Sequence, residues 1–239
     1  MSDTLETELE RARDLAVDDL ADAIESMGFE CTRCGACCRG HGDDEHTATV
    51  FPDEVRTIRN RTDDDWRNVA RPMPYGLQAG ADGSVGETFE WALQTDACGD
   101  CAYFTETDGV GACTVHDSRP LICRTYPFSV ALSGTSQPMG EAVDEAGIVR
   151  AHECEGLGRE ISRDDAEELA RTLKRRAIRE LEEALGLLEV YEPVETEASV
   201  VVYDSEGAKR ADGTPILEDE HADDGDESGL PGDRRASRD

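Results

Sequence analysis

Cys31-Thr32-Arg33-Cys34-Gly35-Ala36-Cys37-Cys38 is the stretch whose reading decides how this chain folds. Two residues between successive cysteines let a tight loop present its sulfurs to one centre. A single C-x2-C unit fits zinc or a redox pair equally well. Three ligands in a C-x2-C-x2-C run favour iron–sulfur ligation, which uses this spacing together with a fourth, distant cysteine. Adjacent Cys37 and Cys38 would have to converge from diverging directions to serve one ion, so they are expected to face two different centres. A second group follows: Cys98-Gly-Asp-Cys101, then Cys113, Cys123 and Cys154. The nine cysteines supply enough thiolates for two four-cysteine sites and one spare. One cluster with several structural cysteines is the other arrangement, and spacing alone does not choose. His116, between Cys113 and Cys123, and His152, two before Cys154, are candidate ligands, but each is expected to be a partly exposed histidine.

Nine is an odd number, so a complete disulfide framework would leave one thiol over. Intracellular thiols are kept reduced, and cysteine pairs there point to metal or redox chemistry. The formal net charge is −31, from 55 acidic and 24 basic residues, and lysine occurs only at Lys174 and Lys209. Such a charge repels itself in dilute buffer and is tolerated where salt screens it, the Debye length falling to roughly 3 Å at 1 M. A halophilic, archaeal cytoplasm is the expected setting. The acid is spread along the whole chain rather than held in one block, against an acidic interaction tail. Nucleic-acid binding is not expected, because phosphate contacts need a basic face. No apolar run approaches bilayer length, and the acidic N-terminus has no signal-peptide core, so no membrane segment is expected.

Leu5, Leu9, Ala12, Ala16, Leu20, Ala23 and Met27 recur at helical spacing and predict one amphipathic helix over 3–27, stopped by Gly28. Short helices are expected over 52–59 and 63–70, the second capped by Thr62. A glycine-rich loop is expected over 76–86 and a strand over 87–95. Pro120 suits the start of a short helix through Cys123, and Ser162 opens a strong helix to Leu185, with Gly186 as its stop. Residues 186–203 are a possible extra strand, and 204–239 an acidic disordered tail. No nucleotide loop is present: Gly80, Gly83 and Gly86 lie in an acidic stretch.

The wider pattern resembles a known family. Cys31-x2-Cys34-x2-Cys37-Cys38, then Cys98, Cys101 and Cys113, then Arg119-Pro120-Leu-Ile-Cys123-Arg124-Thr-Tyr126-Pro127-Phe128, and Cys154-Glu-Gly156-Leu-Gly158 look like the CxxCxxCC, or YkgJ-like, cysteine-cluster proteins. The resemblance spans about residues 28–185, with Glu155 where the family often has proline. It implies a zinc- or iron-chelating domain, whose members are often labelled iron–sulfur oxidoreductases, and it implies no settled reaction. Arg33, Arg39, Arg119 and Arg124 lie beside the thiolates, where they would offset negative charge and donate hydrogen bonds to sulfur; Arg119 and Arg124 are the candidate cofactor-binding pair.

The expected architecture is therefore a small, loop-rich, metal-stabilised α+β domain over 28–185, framed by two longer helices. The expected cofactor is an iron–sulfur cluster ligated among Cys31, Cys34, Cys37, Cys38, Cys98, Cys101, Cys113, Cys123 and Cys154. Electron transfer with a redox partner protein is the leading functional expectation. A zinc-stabilised binding module and an iron or zinc delivery protein are its rivals.

Overall fold

The computed structural model describes residues 2–42, 44–81, 83–138 and 141–216. In chain order the helices are α1 (Ser2–Asp14), α2 (Val17–Met27), α3 (Pro52–Thr62), α4 (Trp66–Val69), α5 (Leu121–Thr125) and α6 (Arg163–Val190). The strands are β1 (Thr49–Val50), β2 (Ala70–Pro72), β3 (Leu77–Gly80), β4 (Gly83–Thr88), β5 (Trp91–Leu93), β6 (Phe104–Thr107), β7 (Val110–Cys113), β8 (Phe128–Val130), β9 (Ala142–Ala146), β10 (Val149–His152), β11 (Val200–Asp204) and β12 (Gly207–Arg210). The class is mixed α+β, as expected, with α6 by far the longest helix.

Two cores share the work. The first packs α1 and α2 against α6 through Leu9, Ala12, Leu20, Ile24, Ala166, Ala170, Leu173, Ala177 and Leu181. The alanines let these helix axes approach closely. Phe128, Val130, Val149 and Ala151 close that core from the antiparallel sheet β8-β10-β9. The second core lies between α3, α4 and the antiparallel sheet β1-β5-β2, around Val55, Ile58, Trp66, Val69, Trp91 and Leu93. Cys101 is a member of it, and Cys38, Cys113 and Cys123 pack against it.

Several sequence expectations change in the folded chain. The single helix over 3–27 is two helices, broken at Leu15–Ala16. The break is held from outside: the Lys174 ammonium on α6 donates to the freed Leu15 carbonyl at 2.7 Å. Gly186 does not stop α6, which runs on to Val190. A Cβ at Gly186 would lie 2.9 Å from the Ser205 side chain, so this glycine serves the close approach of the β11–β12 hairpin. Thr62 lies inside α3, its hydroxyl donating to the Ile58 carbonyl, and Asp65 occupies the N-cap of α4. Most of the expected glycine loop is the β3–β4 hairpin, to which β11 adds in parallel (Val200 opposite Gly86, Val202 opposite Thr88). Only part of the strand expected over 87–95 forms, as the end of β4 and as β5.

The acidic stretch from Asp204, expected to lack structure, carries β12. Asp204 is 2% exposed and accepts from Trp91 Nε1 at 2.8 Å and from the Lys209 ammonium at 2.6 Å. One buried lysine and one indole thus anchor an acidic segment that composition alone marks as unfolded. The rest of the expected tail, 217–239, lies outside the described residues.

Candidate metal centre

The first cysteine loop is clamped at three places. At its start the Glu30 amide donates to the Gly156 carbonyl at 3.0 Å, and Phe29 bridges to Leu157. In its middle the Arg33 carbonyl accepts from the Gly111 amide at 2.7 Å. At its end the Cys38 carbonyl accepts from the Cys101 amide at 2.8 Å. The loop therefore bridges the segment after β10, which carries Cys154, and the β6–β7 hairpin, which carries Cys113.

Gly35 makes the middle clamp possible. Its φ is 78°, and a Cβ there would fall 2.4 Å from Cζ of Phe104. Gly35→Ala is expected to cost about 1–3 kcal/mol for the left-handed backbone alone and more for the clash. Gly109→Ala is the control, with φ 80° and open space around the would-be Cβ. Urea unfolding of both variants should show the larger loss at Gly35; equal losses would mean that Phe104 simply moves aside.

The second group is placed by tertiary contacts. Asp96 Oδ1 accepts from the Cys98 and Asp100 amides at 2.8 and 3.1 Å, which shapes the Cys98–Cys101 turn. Cys113 sits opposite Phe104 in the β6–β7 ladder. Cys123 rides on α5, whose first amide, Leu121, donates to Glu54 Oε1 at 2.8 Å. Glu54 also accepts from the Phe51 amide at 3.1 Å. Burial pushes its carboxyl up from 4.5 to about 7, against the two amides that pull it down. The folded chain therefore holds this proton between about pH 4.5 and 7, where the unfolded chain releases it. The stabilisation is full below that window and fades as pH rises through it. The stability difference between the native chain and Glu54→Gln should fall across that window, and a pH-independent difference would contradict the burial of Glu54.

All nine cysteines are free. Cys101 is buried, Cys34, Cys38, Cys113, Cys123 and Cys154 are half-buried, and Cys31, Cys37 and Cys98 are exposed. The sulfurs of Cys37 and Cys38 lie 3.9 Å apart, so the vicinal side chains do not diverge as expected. That contact holds the Cys37 thiol far above its ordinary range. Burial pushes Cys101 up to about 11, and raises Cys113, Cys123 and Cys154 as well. Backbone amides oppose the rise at three of them: Tyr103 and Phe104 at Cys101, Val115 at Cys113, and Gly156 at Cys154, the last with an N–H···S distance of 3.4 Å. These thiols resist ionising beside one another, and one of them, Cys154, has a backbone donor aimed at its sulfur. A cation that replaces their protons relieves the first condition and uses the second.

The donor at sulfur is thus a backbone amide, Gly156 at Cys154, and not one of the arginines expected from sequence. Arg119 donates to the His116 carbonyl at 3.2 Å, though its charge still reaches Cys37 and Cys113. Arg39 pairs with Glu106 and lies over the Phe104 ring. Arg124 is exposed and is not among the leading influences on any shifted thiol. His116 is exposed, as expected. His152 is not: it is 3% exposed, with Nε2 2.9 Å from Ser129 Oγ. Tyr126 went unnoticed in the sequence except as an apolar residue. It lies where the charges of Cys154, Cys37 and Cys34 all reach it, and burial pushes its hydroxyl up to about 12. His46 also went unnoticed, because nothing in its spacing marks it. It is 7% exposed, burial holds its ring below the ordinary histidine value, and its amide donates to the Gly99 carbonyl at 2.8 Å.

Among the described residues, no three His, Cys, Asp or Glu side chains stand gathered so as to hold a metal ion as they are. The donor set nevertheless fits a thiophilic metal in its chemistry: free thiols, an amide directed at the Cys154 sulfur, and two cysteine groups tied by main-chain bonds. No helix among the described residues is long and apolar enough to cross a membrane.

No curated protein and no solved structure matches this chain. The family model of the CxxCxxCC domain, described as "Putative zinc- or iron-chelating domain", matches residues 30–155. That span begins beside the first clamp of the cysteine loop and ends beside Cys154, so it holds every cysteine of both groups. The chain belongs to the CxxCxxCC family of zinc- or iron-chelating domains.

Proposed function

We propose that this protein binds iron as an iron–sulfur centre and passes electrons to or from a redox partner protein. The observation that carries the reading is the Gly156 amide directed at the Cys154 sulfur at 3.4 Å, in a chain whose nine cysteines are all free. Amide donors to thiolate sulfur stabilise negative charge, and in iron–sulfur sites they tune the reduction potential. The C-x2-C-x2-C spacing of Cys31, Cys34 and Cys37 supports the same reading. When bound, the centre supplies the one-electron couple. The chain's own part is to hold the thiolates in place, direct the Gly156 amide at the Cys154 sulfur, and limit water through the apolar packing around Cys101.

Zinc is the second reading, and one distance favours it. Zinc–thiolate bonds of about 2.3 Å place two sulfurs of a tetrahedral site roughly 3.8 Å apart. The Cys37 and Cys38 sulfurs lie at 3.9 Å. Anaerobic purification with metal and acid-labile sulfide analysis decides between the readings. Iron with equimolar sulfide and broad absorption near 400 nm is the expected result. Colourless protein carrying zinc and no sulfide would overturn the iron–sulfur reading, and protein carrying no metal after reconstitution would overturn both.

The free thiols and the −31 charge support a salt-rich cytoplasm as the protein's setting. Stability is then expected to rise between millimolar and molar salt as self-repulsion is screened. Equal melting temperatures across that range would contradict the halophilic setting.

A further inference from the structure

A cleft between α6 and the sheet β1-β5-β2 has no cysteine in its lining, and the metal-binding reading makes no use of it. We propose that this cleft binds a small organic cation of the quaternary ammonium class, with aromatic rings against its methyl groups and Glu90 as the counter-charge.

The cavity encloses about 210 Å³, many times the roughly 10–15 Å³ that one water needs. Val50 and Trp91 of the sheet, Phe51 at the start of α3, Met73, and Ala184 and Leu187 of α6 give it apolar walls. Trp91 is 1% exposed and forms an inner wall. Tyr75 and Phe89 also line the cavity but are 67% and 46% exposed, so they stand at its mouth. Phe89 is braced from one side, its ring stacked on Tyr203 at 5.7 Å and tilted against Tyr191 at 5.7 Å. Glu90 follows Phe89 directly, and its carbonyl accepts from the Met73 amide at 2.9 Å. Braced aromatic rings left in water beside a cavity are surface that a ligand can cover.

Charge selects the class of ligand. Four acidic residues line the cavity, and three of them already have a cation. Glu180 is paired with Arg176 at 2.8 Å, Glu183 with Arg179 at 3.2 Å, and Asp204 with Lys209 at 2.6 Å. No ion pair or side-chain hydrogen bond joins Glu90 to another described residue. The lining is therefore one positive charge short of balance. Rings of tryptophan, tyrosine and phenylalanine draw cations to their faces, and most strongly where water is displaced. An ammonium ion that carries methyl groups satisfies both features: its charge meets Glu90, and its alkyl surface leaves water against the rings. A calcium or magnesium ion is a poorer match, because it takes about six or more oxygen ligands and three of the four carboxylates are committed elsewhere.

Calorimetric titration of the full chain with choline, at fixed ionic strength, tests this. Saturable binding of a single choline per chain is expected. The uncharged alcohol of the same shape, 3,3-dimethylbutan-1-ol, should bind at least about tenfold more weakly. That comparison needs no variant to fold. Glu90→Gln and Phe89→Ala should each weaken choline binding about tenfold. Glu10→Gln, which removes an exposed charge on α1, should leave it unchanged. Equal binding of the alcohol would show a cavity without charge selectivity and overturn the proposal. Equal losses from Glu90→Gln and Glu10→Gln would trace binding to the net charge of −31 and overturn it too, as would the absence of saturable choline binding. A concentration-dependent dimer that Phe89→Asp dissociates would assign the aromatic rim to a second copy of the chain, with the same consequence.

Discussion

Stripping the metal from the full chain under anaerobic conditions is expected to unfold one core and spare the other. The core around Trp66 and Trp91 contains Cys101 and rests on Cys38, Cys113 and Cys123. The core between α1, α2 and α6 has no cysteine among its residues. Structural metal binding releases roughly 10–16 kcal/mol in zinc-finger systems, and that energy is available only on folding. Without it, Cys38 and the three thiols that burial pushes up, Cys101, Cys113 and Cys123, are left around a small apolar cluster. The chain's two tryptophans both sit in the cysteine-bearing core. Their emission should therefore shift to the red on chelation, while far-ultraviolet circular dichroism keeps most of the signal from α1, α2 and α6. Tryptophan emission and a melting curve that do not change after verified metal removal would show that the metal has no structural part.

The second large effect is expected at Arg176, which α6 carries into the interior with 2% exposure. Its guanidinium donates to Glu180 Oε1 at 2.8 Å, Thr125 Oγ1 at 3.0 Å, the Phe128 carbonyl at 3.1 Å and the Ser136 carbonyl at 2.5 Å. One side chain thus fastens α6 to the end of α5, two residues from Cys123, and to β8. Burial already raises the Glu180 carboxyl, and Arg176 is the main influence pulling it back. Removing one partner of a buried pair leaves the other charge uncompensated, at a cost of about 3–5 kcal/mol. Arg176→Ala should lose that much in urea unfolding at neutral pH. The loss should shrink in acid: with its carboxyl raised, Glu180 holds a proton in the folded variant at low pH and must shed it, unpaired, as pH rises. Arg176→Met combined with Glu180→Leu should recover much of the stability, because apolar replacement of a buried pair is often neutral or better. A loss below about 1 kcal/mol in the single variant would mean that water reaches the pair.

The metal-binding class of this protein was legible from the chain. Cysteine spacing is a local property, since two residues between ligands constrain a loop whatever surrounds it. The metal-binding class and the loop Cys31–Cys38 followed from that spacing. Helix periodicity is local too, and α6 was evident from Ser162 and the apolar stripe that follows it. Local signals failed where a distant partner decided the outcome. The break at Leu15–Ala16 depends on Lys174, the persistence of α6 through Gly186 on Ser205, and the order of the acidic segment on Lys209 and Trp91. The neighbours of each cysteine segment were decided only by tertiary structure, because segments far apart in sequence are joined by main-chain bonds that spacing does not encode. The Gly156 amide approaches the Cys154 sulfur because the chain turns immediately after Cys154, while Arg39 and Arg119 find a carboxylate and a carbonyl.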